Sequence, residues 1–274
     1  MSDIPLSLYV HFPWCIKKCP YCDFNSHRLS NTLPESLYIN SLIKDLREEK
    51  RKEKRHYLRS IFLGGGTPSL FSGKSIDKLI REISHSFTID NCEITIEANP
   101  GTFDESNFVN YRKAGVNRLS LGAQSFNVNH LEKLGRIHSP KNIFEAYAAA
   151  RSAGFSQINI DLMFGLPGQE WESALNDLEQ AISLDPEHIS WYQLTIEPNT
   201  IFYSYPPSTP DEDTIAEIAR KGNKMLKESG FEQYEVSAFS VPGEAAVHNL
   251  NYWEFGDYIG IGAGAHGKLT RDES

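Results

Sequence analysis

The sequence predicts an α/β protein, a parallel sheet of six strand–helix units with its helices outside. Three observations lead there. Apolar strand-like runs alternate with amphipathic helical stretches along most of the 274 residues, a pattern that implies a parallel sheet covered by helices. Six such units can be counted, too few for a closed eight-stranded barrel. Polar and glycine-rich clusters also fall at the ends of the strands, where parallel α/β folds build their sites.

The expected strands cover 6–12, 60–64, 93–98, 118–123, 157–164 and 188–194. Helical patterns lie near 35–50, 75–86, 104–114, 127–153, 170–184 and 212–229. Asp104 and Pro140 stand at helix-start positions. Gly115 and Gly154 occupy sites where glycine caps a helix C-terminus. No internal repeat is found, and the only biased segment is the short linker Tyr205-Pro206-Pro207-Ser208-Thr209-Pro210. The expected division is an α/β unit over 1–230 and an extension over 231–274.

Bulk chemistry narrows the function classes. A net charge of −9 argues against a general nucleic-acid surface. The one basic block, residues 50–56, closes a helical pattern where cations suit the C-terminal dipole; a docking patch is the alternative. No run of about 18 apolar residues is present, so no membrane span is expected. Met1 is followed almost at once by the first strand, with no basic-plus-apolar leader.

Cys15, Cys19 and Cys22 form C-x3-C-x2-C directly after the first strand. Three thiolates so close can grip one inorganic centre but cannot close it, since structural zinc takes four ligands. A cubane [4Fe–4S] cluster held by three cysteines leaves one iron free. The alternative is a zinc knuckle in which His11 completes the set. The fourth cysteine, Cys92, opens a strand and reads as a small buried hydrophobe.

Each later strand ends in residues suited to a ligand. Gly64-Gly65-Gly66-Thr67-Pro68 strips the rim of Cβ atoms and lets backbone approach closely. Glu97 ends an apolar strand, and buried Glu is rare without a partner. Gln124 offers an uncharged donor and acceptor. Arg136 and His138 follow in L-G-R-I-H, and Asp161 lies in N-I-D-L-M-F-G-L-P-G. Gly262, Gly264 and Gly267 formally satisfy G-x-G-x-x-G, but no helix or acidic partner follows at the required distance. A tight glycine-rich strand or turn is expected there.

These motifs resemble the radical S-adenosylmethionine superfamily, whose C-x3-C-x2-C signature carries an aromatic residue before its last cysteine, here Tyr21. Y-V-H-F-P-W-C, G-G-G-T-P-S-L, S-L-G-A-Q-S-F and L-G-R-I-H narrow the likeness to the oxygen-independent coproporphyrinogen III oxidase family, over about residues 6–270. The resemblance implies an open, partial (β/α)6 barrel, which the six units match, followed by the start of a C-terminal domain, and a [4Fe–4S] cluster on Cys15, Cys19 and Cys22. It implies S-adenosylmethionine held at Tyr9, Tyr21, Gly65, Gly66, Thr67, Glu97, Gln124, Arg136 and Asp161. An oxygen-sensitive cluster without an export signal points to the cytoplasm.

Within that family, H-N-x-x-Y-W at His248 to Trp253 resembles the motif of the heme-chaperone subgroup, which implies heme ligation by His248. A neutral imidazole is a common heme ligand, and aromatic rings can cover a macrocycle. His266 is a weaker second candidate. The decarboxylating enzymes carry a further cysteine where this chain has Phe24, and a long N-terminal segment not found here. The first expectation is therefore a heme chaperone that passes heme to a respiratory apo-protein and takes one electron from a reductant, with homodimer formation left open. The alternative is oxidative decarboxylation of coproporphyrinogen III. Relatives sharing these motifs continue into a helical C-terminal domain, so the chain, ending Arg271-Asp272-Glu273-Ser274, is expected to be incomplete there.

Overall fold

The computed structural model describes residues 4–102 and 104–270, so Met1 and the terminal Arg271 to Ser274 lie outside the described residues. The first half contains β1 (Leu6–Phe12), β2 (Trp14–Cys15), β3 (His27–Arg28), α1 (Glu35–Lys52), β4 (Ser60–Gly65), α2 (Gly73–Ser86), β5 (Glu93–Ala98), α3 (Glu105–Ala114) and β6 (Arg118–Gln124). The second half adds α4 (Val128–Lys133), α5 (Pro140–Ser152), β7 (Gln157–Phe164), α6 (Trp171–Ser183), β8 (His188–Gln193), α7 (Ile201–Ser204) and α8 (Glu212–Glu228). It closes with β9 (Glu232–Gln233), β10 (Ala238–Ser240), α9 (Val247–Trp253) and β11 (Asp257–Ile261).

One sheet carries nine of the strands, in the order β11-β1-β4-β5-β6-β7-β8-β10-β9. Its run from β11 to β8 is parallel throughout. β10 and β9 return antiparallel at the far edge. The six central strands are the six expected β/α units. The segment beyond residue 230 thus supplies strands to both edges of the same sheet.

Strand alternation divides the barrel wall into two chemistries. Leu6, Leu8, Val10 and Phe12 of β1 join Leu42, Leu46, Ile76 and Leu79 of the helices in the main apolar core. The intervening residues point inward and are largely polar: Ser7, Tyr9 and His11 on β1, Glu93, Thr95 and Glu97 on β5, Asn159 and Asp161 on β7. This lined interior is what positions the site.

Local signals behave as their chemistry requires. Asp104 accepts a hydrogen bond from the Ser106 N–H at 2.8 Å, and Gly115 caps α3 at φ +105°. The single helix expected over 127–153 is instead two, because Gly135 turns left-handed at φ +69° before Pro140 starts α5. Cys92 is buried, and that burial pushes its thiol up to about 12. The glycine-rich tail follows β11 as a turn with Gly262 and Gly264 at positive φ. The basic block is tied into the fold: Lys50 Nζ donates to the Glu53 and Arg55 carbonyls, and Arg55 pairs with Glu53 and Asp257.

Candidate functional site

A cavity of about 330 Å³ opens at the C-terminal ends of the strands. Cys15, Cys19, Tyr21 and Cys22 form one wall, and Gly65, Gly66, Thr67, Glu97, Gln124, Arg136 and Asp161 form the rest. Eleven residues chosen from sequence therefore meet around one space. Tyr9 and His248 are not among them.

The cysteine loop is held by its own backbone. β2 and β3 pair in parallel, with Leu29 N–H donating to Cys15 O at 2.8 Å and Cys22 N–H to Cys19 O at 3.2 Å. Lys18 Nζ donates to the Phe24 and Ser26 carbonyls at 3.0 and 2.9 Å, which ties the loop's far side. All three cysteines are free thiols and half-buried. Burial raises the Cys15 thiol above its ordinary range, a cost that coordination to iron would remove by deprotonating it.

His11 does not complete a zinc set. Its Nε2 donates to the Asn25 carbonyl at 2.8 Å, so its Nδ1 accepts from the Tyr9 hydroxyl at 2.9 Å. Both ring nitrogens are used. Among the described residues no group of three or more His, Cys, Asp or Glu side chains is arranged to hold a single metal ion. A cubane differs in spreading its cysteines over separate irons.

The glycine turn is built for close approach. Gly66 and Thr67 donate to the Phe12 and Trp14 carbonyls at 2.6 and 2.8 Å, stitching the turn to the cysteine strand. Gly65 has φ +110°, and a Cβ there would stand 2.6 Å from the His11 ring. A Cβ on Gly66 would stand 2.6 Å from the Trp14 carbonyl. Only glycine fits either place.

Charge in the cavity is unevenly satisfied. Glu97 is pushed up to about 8, first by burial and then by Asp161 nearby, while the Gly65 N–H pulls the other way. It therefore holds a proton near neutral pH. Burial also raises Asp161, but Ser120 and Asn159 donate to its carboxylate at 3.0 and 2.8 Å. Arg136 donates through Nη2 to the Gly122 carbonyl at 2.7 Å and through Nη1 to Cys19 Sγ at 3.7 Å. Its Nε is buried without a partner. His138 is pushed down to about 4 by burial and by Arg136, so its neutral ring donates from Nε2 to the Ala123 carbonyl.

Three thiols, a guanidinium with a spare donor and two carboxyls in one buried space fit a cluster plus a ligand bearing both an amino and a carboxylate group. Sequence reasoning missed Tyr192, whose hydroxyl donates to Gln124 Oε1 at 2.8 Å. Gln124 itself adopts φ +69°, where the strand pairing is irregular. The available signal was Tyr192 sharing the inward face of its strand with His188 and Ser190.

Tyr9 lies deeper in the barrel, its ring stacked on Phe62 at 6.2 Å. His248 sits at the opposite end. Its Nδ1 meets Glu93 Oε1 at 2.7 Å, and Glu93 opens β5 four residues before Glu97, roughly 13 Å along the strand. Burial lowers the imidazole's proton affinity; Glu93, despite its own burial, is drawn down to about 2 by His248 and Arg118. His266 is exposed. A chain of hydrogen bonds spans the interior between the two ends. Asn159 bonds Asp161 and also His188 Nδ1 at 2.6 Å, His188 Nε2 meets the Tyr234 hydroxyl at 2.7 Å, and Asn249 donates to that hydroxyl at 2.9 Å.

Comparison with known proteins agrees with this geometry. The Radical SAM superfamily model matches residues 9–181. The heme chaperone HemW of Escherichia coli is 51% identical over 97% of this chain and 71% of its own length. Its counterpart from Haemophilus influenzae is 52% identical with the same two coverages. Among solved structures, the coproporphyrinogen III oxidase HemN of Escherichia coli superposes with a TM-score of 0.85 at 26% identity, over 97% of this chain and 65% of that one. No helix among the described residues is long and apolar enough to cross a membrane. The chain belongs to the radical SAM superfamily and, within it, to the heme chaperone HemW family.

Proposed function

We propose that the chain is a heme chaperone that uses Cys15, Cys19 and Cys22 to hold a [4Fe–4S] cluster. Bound there, the cluster supplies an under-ligated iron and a one-electron reducing centre. S-adenosylmethionine would lie against the Gly65-Gly66-Thr67 backbone. Glu97 gives up its proton to face an ammonium group, and Arg136 offers its spare Nε–H to an anionic one. Asp161 and Gln124, fixed by Asn159, Ser120 and Tyr192, orient the remaining polar groups. Tyr9 and Tyr21 complete the expected set, Tyr9 from below the cavity.

The observation that carries the reading is the identity with two heme chaperones across 97% of the chain, together with the intact three-cysteine cavity. On this reading His248 ligates heme, which passes to a respiratory apo-protein in the cytoplasm. A one-electron donor would reduce the cluster held by the three cysteines. The six β/α units of the barrel lie within 1–230, and 231–274, which adds strands to the edges of the same sheet, carries the heme motif.

The likeness to HemN favours a second reading, decarboxylation of coproporphyrinogen III. Against it stands Phe24, an exposed apolar side chain on the cavity wall where the decarboxylating enzymes carry a cysteine. Two measurements separate the readings. Titration with heme should give a Soret complex that is lost in His248→Ala, with the cluster spectrum unchanged. Incubation of the reduced, reconstituted protein with coproporphyrinogen III and S-adenosylmethionine should give no protoporphyrinogen IX; its formation would overturn the chaperone-only reading.

A further inference from the structure

The floor of the barrel is closed by α9, and one side chain clasps that helix. Glu93 accepts from the Val247 N–H at 2.9 Å, the His248 N–H at 3.0 Å and His248 Nδ1 at 2.7 Å. The imidazole rests on Phe62 with ring centroids 4.4 Å apart, and only 12% of the side chain is exposed. Axial ligation brings a macrocycle several times wider than an imidazole face-on to the free ring nitrogen. A ring with only 12% of its side chain exposed, fixed at Nδ1 by Glu93 and resting on Phe62, must swing outward for that approach.

The clasp leaves another group wanting. Arg118 is buried beside Glu93, yet its Nε stands 3.8 Å from Glu93 Oε2, too far for a hydrogen bond. Its Nε and Nη1 have no partner. With α9 away, both Glu93 oxygens become available to this guanidinium. Arg118 already lies within ion-pair range of the clasped carboxylate, and with α9 away it closes to hydrogen-bond distance, which offsets part of the cost of opening.

We propose that α9 is a movable plug: docked, it keeps His248 from heme, and heme ligation requires Glu93 and Phe62 to release it. This rests on heme ligation by His248, as proposed above. Glu93 is here a clasp and never an iron ligand. Heme then binds only the undocked fraction, so its apparent affinity is reduced by that fraction, and weakening the clasp strengthens binding.

The test is stopped-flow mixing of the full chain with ferric heme, read at the Soret band, beside amide hydrogen exchange. The observed rate should rise and then level off with heme concentration. Phe62→Ala should lift that plateau roughly three- to tenfold, the worth of one aromatic contact. Glu93→Gln, which keeps the side-chain shape, should also lift it. The Val247 and His248 amides should lose protection when heme binds. A rate linear in heme throughout, with both amides still protected in the complex, overturns the plug. His248→Ala is the separate control: loss of heme binding upholds the ligand assignment, and unchanged binding overturns that assignment itself.

Discussion

Glu97 Oε2 accepts a hydrogen bond from the Gly65 N–H at 3.0 Å, joining the carboxylate at the end of one strand to the glycine turn at the end of its neighbour. The bond bridges two motifs 32 positions apart in sequence and makes them a single wall. It also holds a carboxyl where burial works against its ionisation.

That burial predicts a pH dependence. Free Glu titrates near 4.5, whereas Glu97 is raised to about 8. Between those values the unfolded chain has lost the proton and the folded chain keeps it. Stability of the cluster-free protein therefore falls as pH rises through this window. Glu97→Gln removes this contribution, so the variant should gain on wild type between pH 5 and pH 8, by an amount on the order of a few kcal/mol. Urea midpoints at the two pH values measure it, and parallel curves would refute it.

Gly65→Ala should destabilise the chain by about 2–4 kcal/mol, since it combines a left-handed backbone with a contact into the His11 ring. Gly154→Ala, also at positive φ but with nothing within 4 Å of its Cβ, should cost only the backbone part, about 1 kcal/mol. Chemical denaturation of both variants separates the two contributions. Equal losses would remove the steric half of the argument.

Cys19→Ala should abolish the cluster, because two thiolates cannot hold a cubane. The readout is iron and sulfide content after anaerobic reconstitution. Wild-type iron in this variant would contradict the ligand assignment.

Arg136→Leu should make the cluster harder to reduce. The guanidinium lies 3.7 Å from Cys19 Sγ in a buried setting, where a positive charge favours the added electron. Its loss should lower the reduction potential and weaken S-adenosylmethionine binding at least about tenfold, one displaced charge-assisted bond. Potentiometry and equilibrium binding check the two effects, and an unchanged potential would show that the charge is screened from the cluster.

Legibility followed range of interaction. The six central strands and their helices were readable because each repeats an apolar period over six or more residues. The cysteine spacing, the glycine turn and the strand-end polar residues were readable because each is contiguous. Tyr192 was not, since its one local signal, a strand face shared with His188 and Ser190, names no partner until Gln124 is opposite. β9 to β11 and α9 were also missed; they are two to seven residues long and take their form from the edges and floor they cover.

Local order along the chain decided the family, the barrel and the cavity wall, because periodicity and short spacings are properties of consecutive residues. Only three-dimensional closure decided that Glu97 stays protonated, that both His11 nitrogens are occupied, and that His248 faces Glu93 at the far end from the cysteines. Burial and charge act through space between strands distant in sequence, and no spacing rule encodes them.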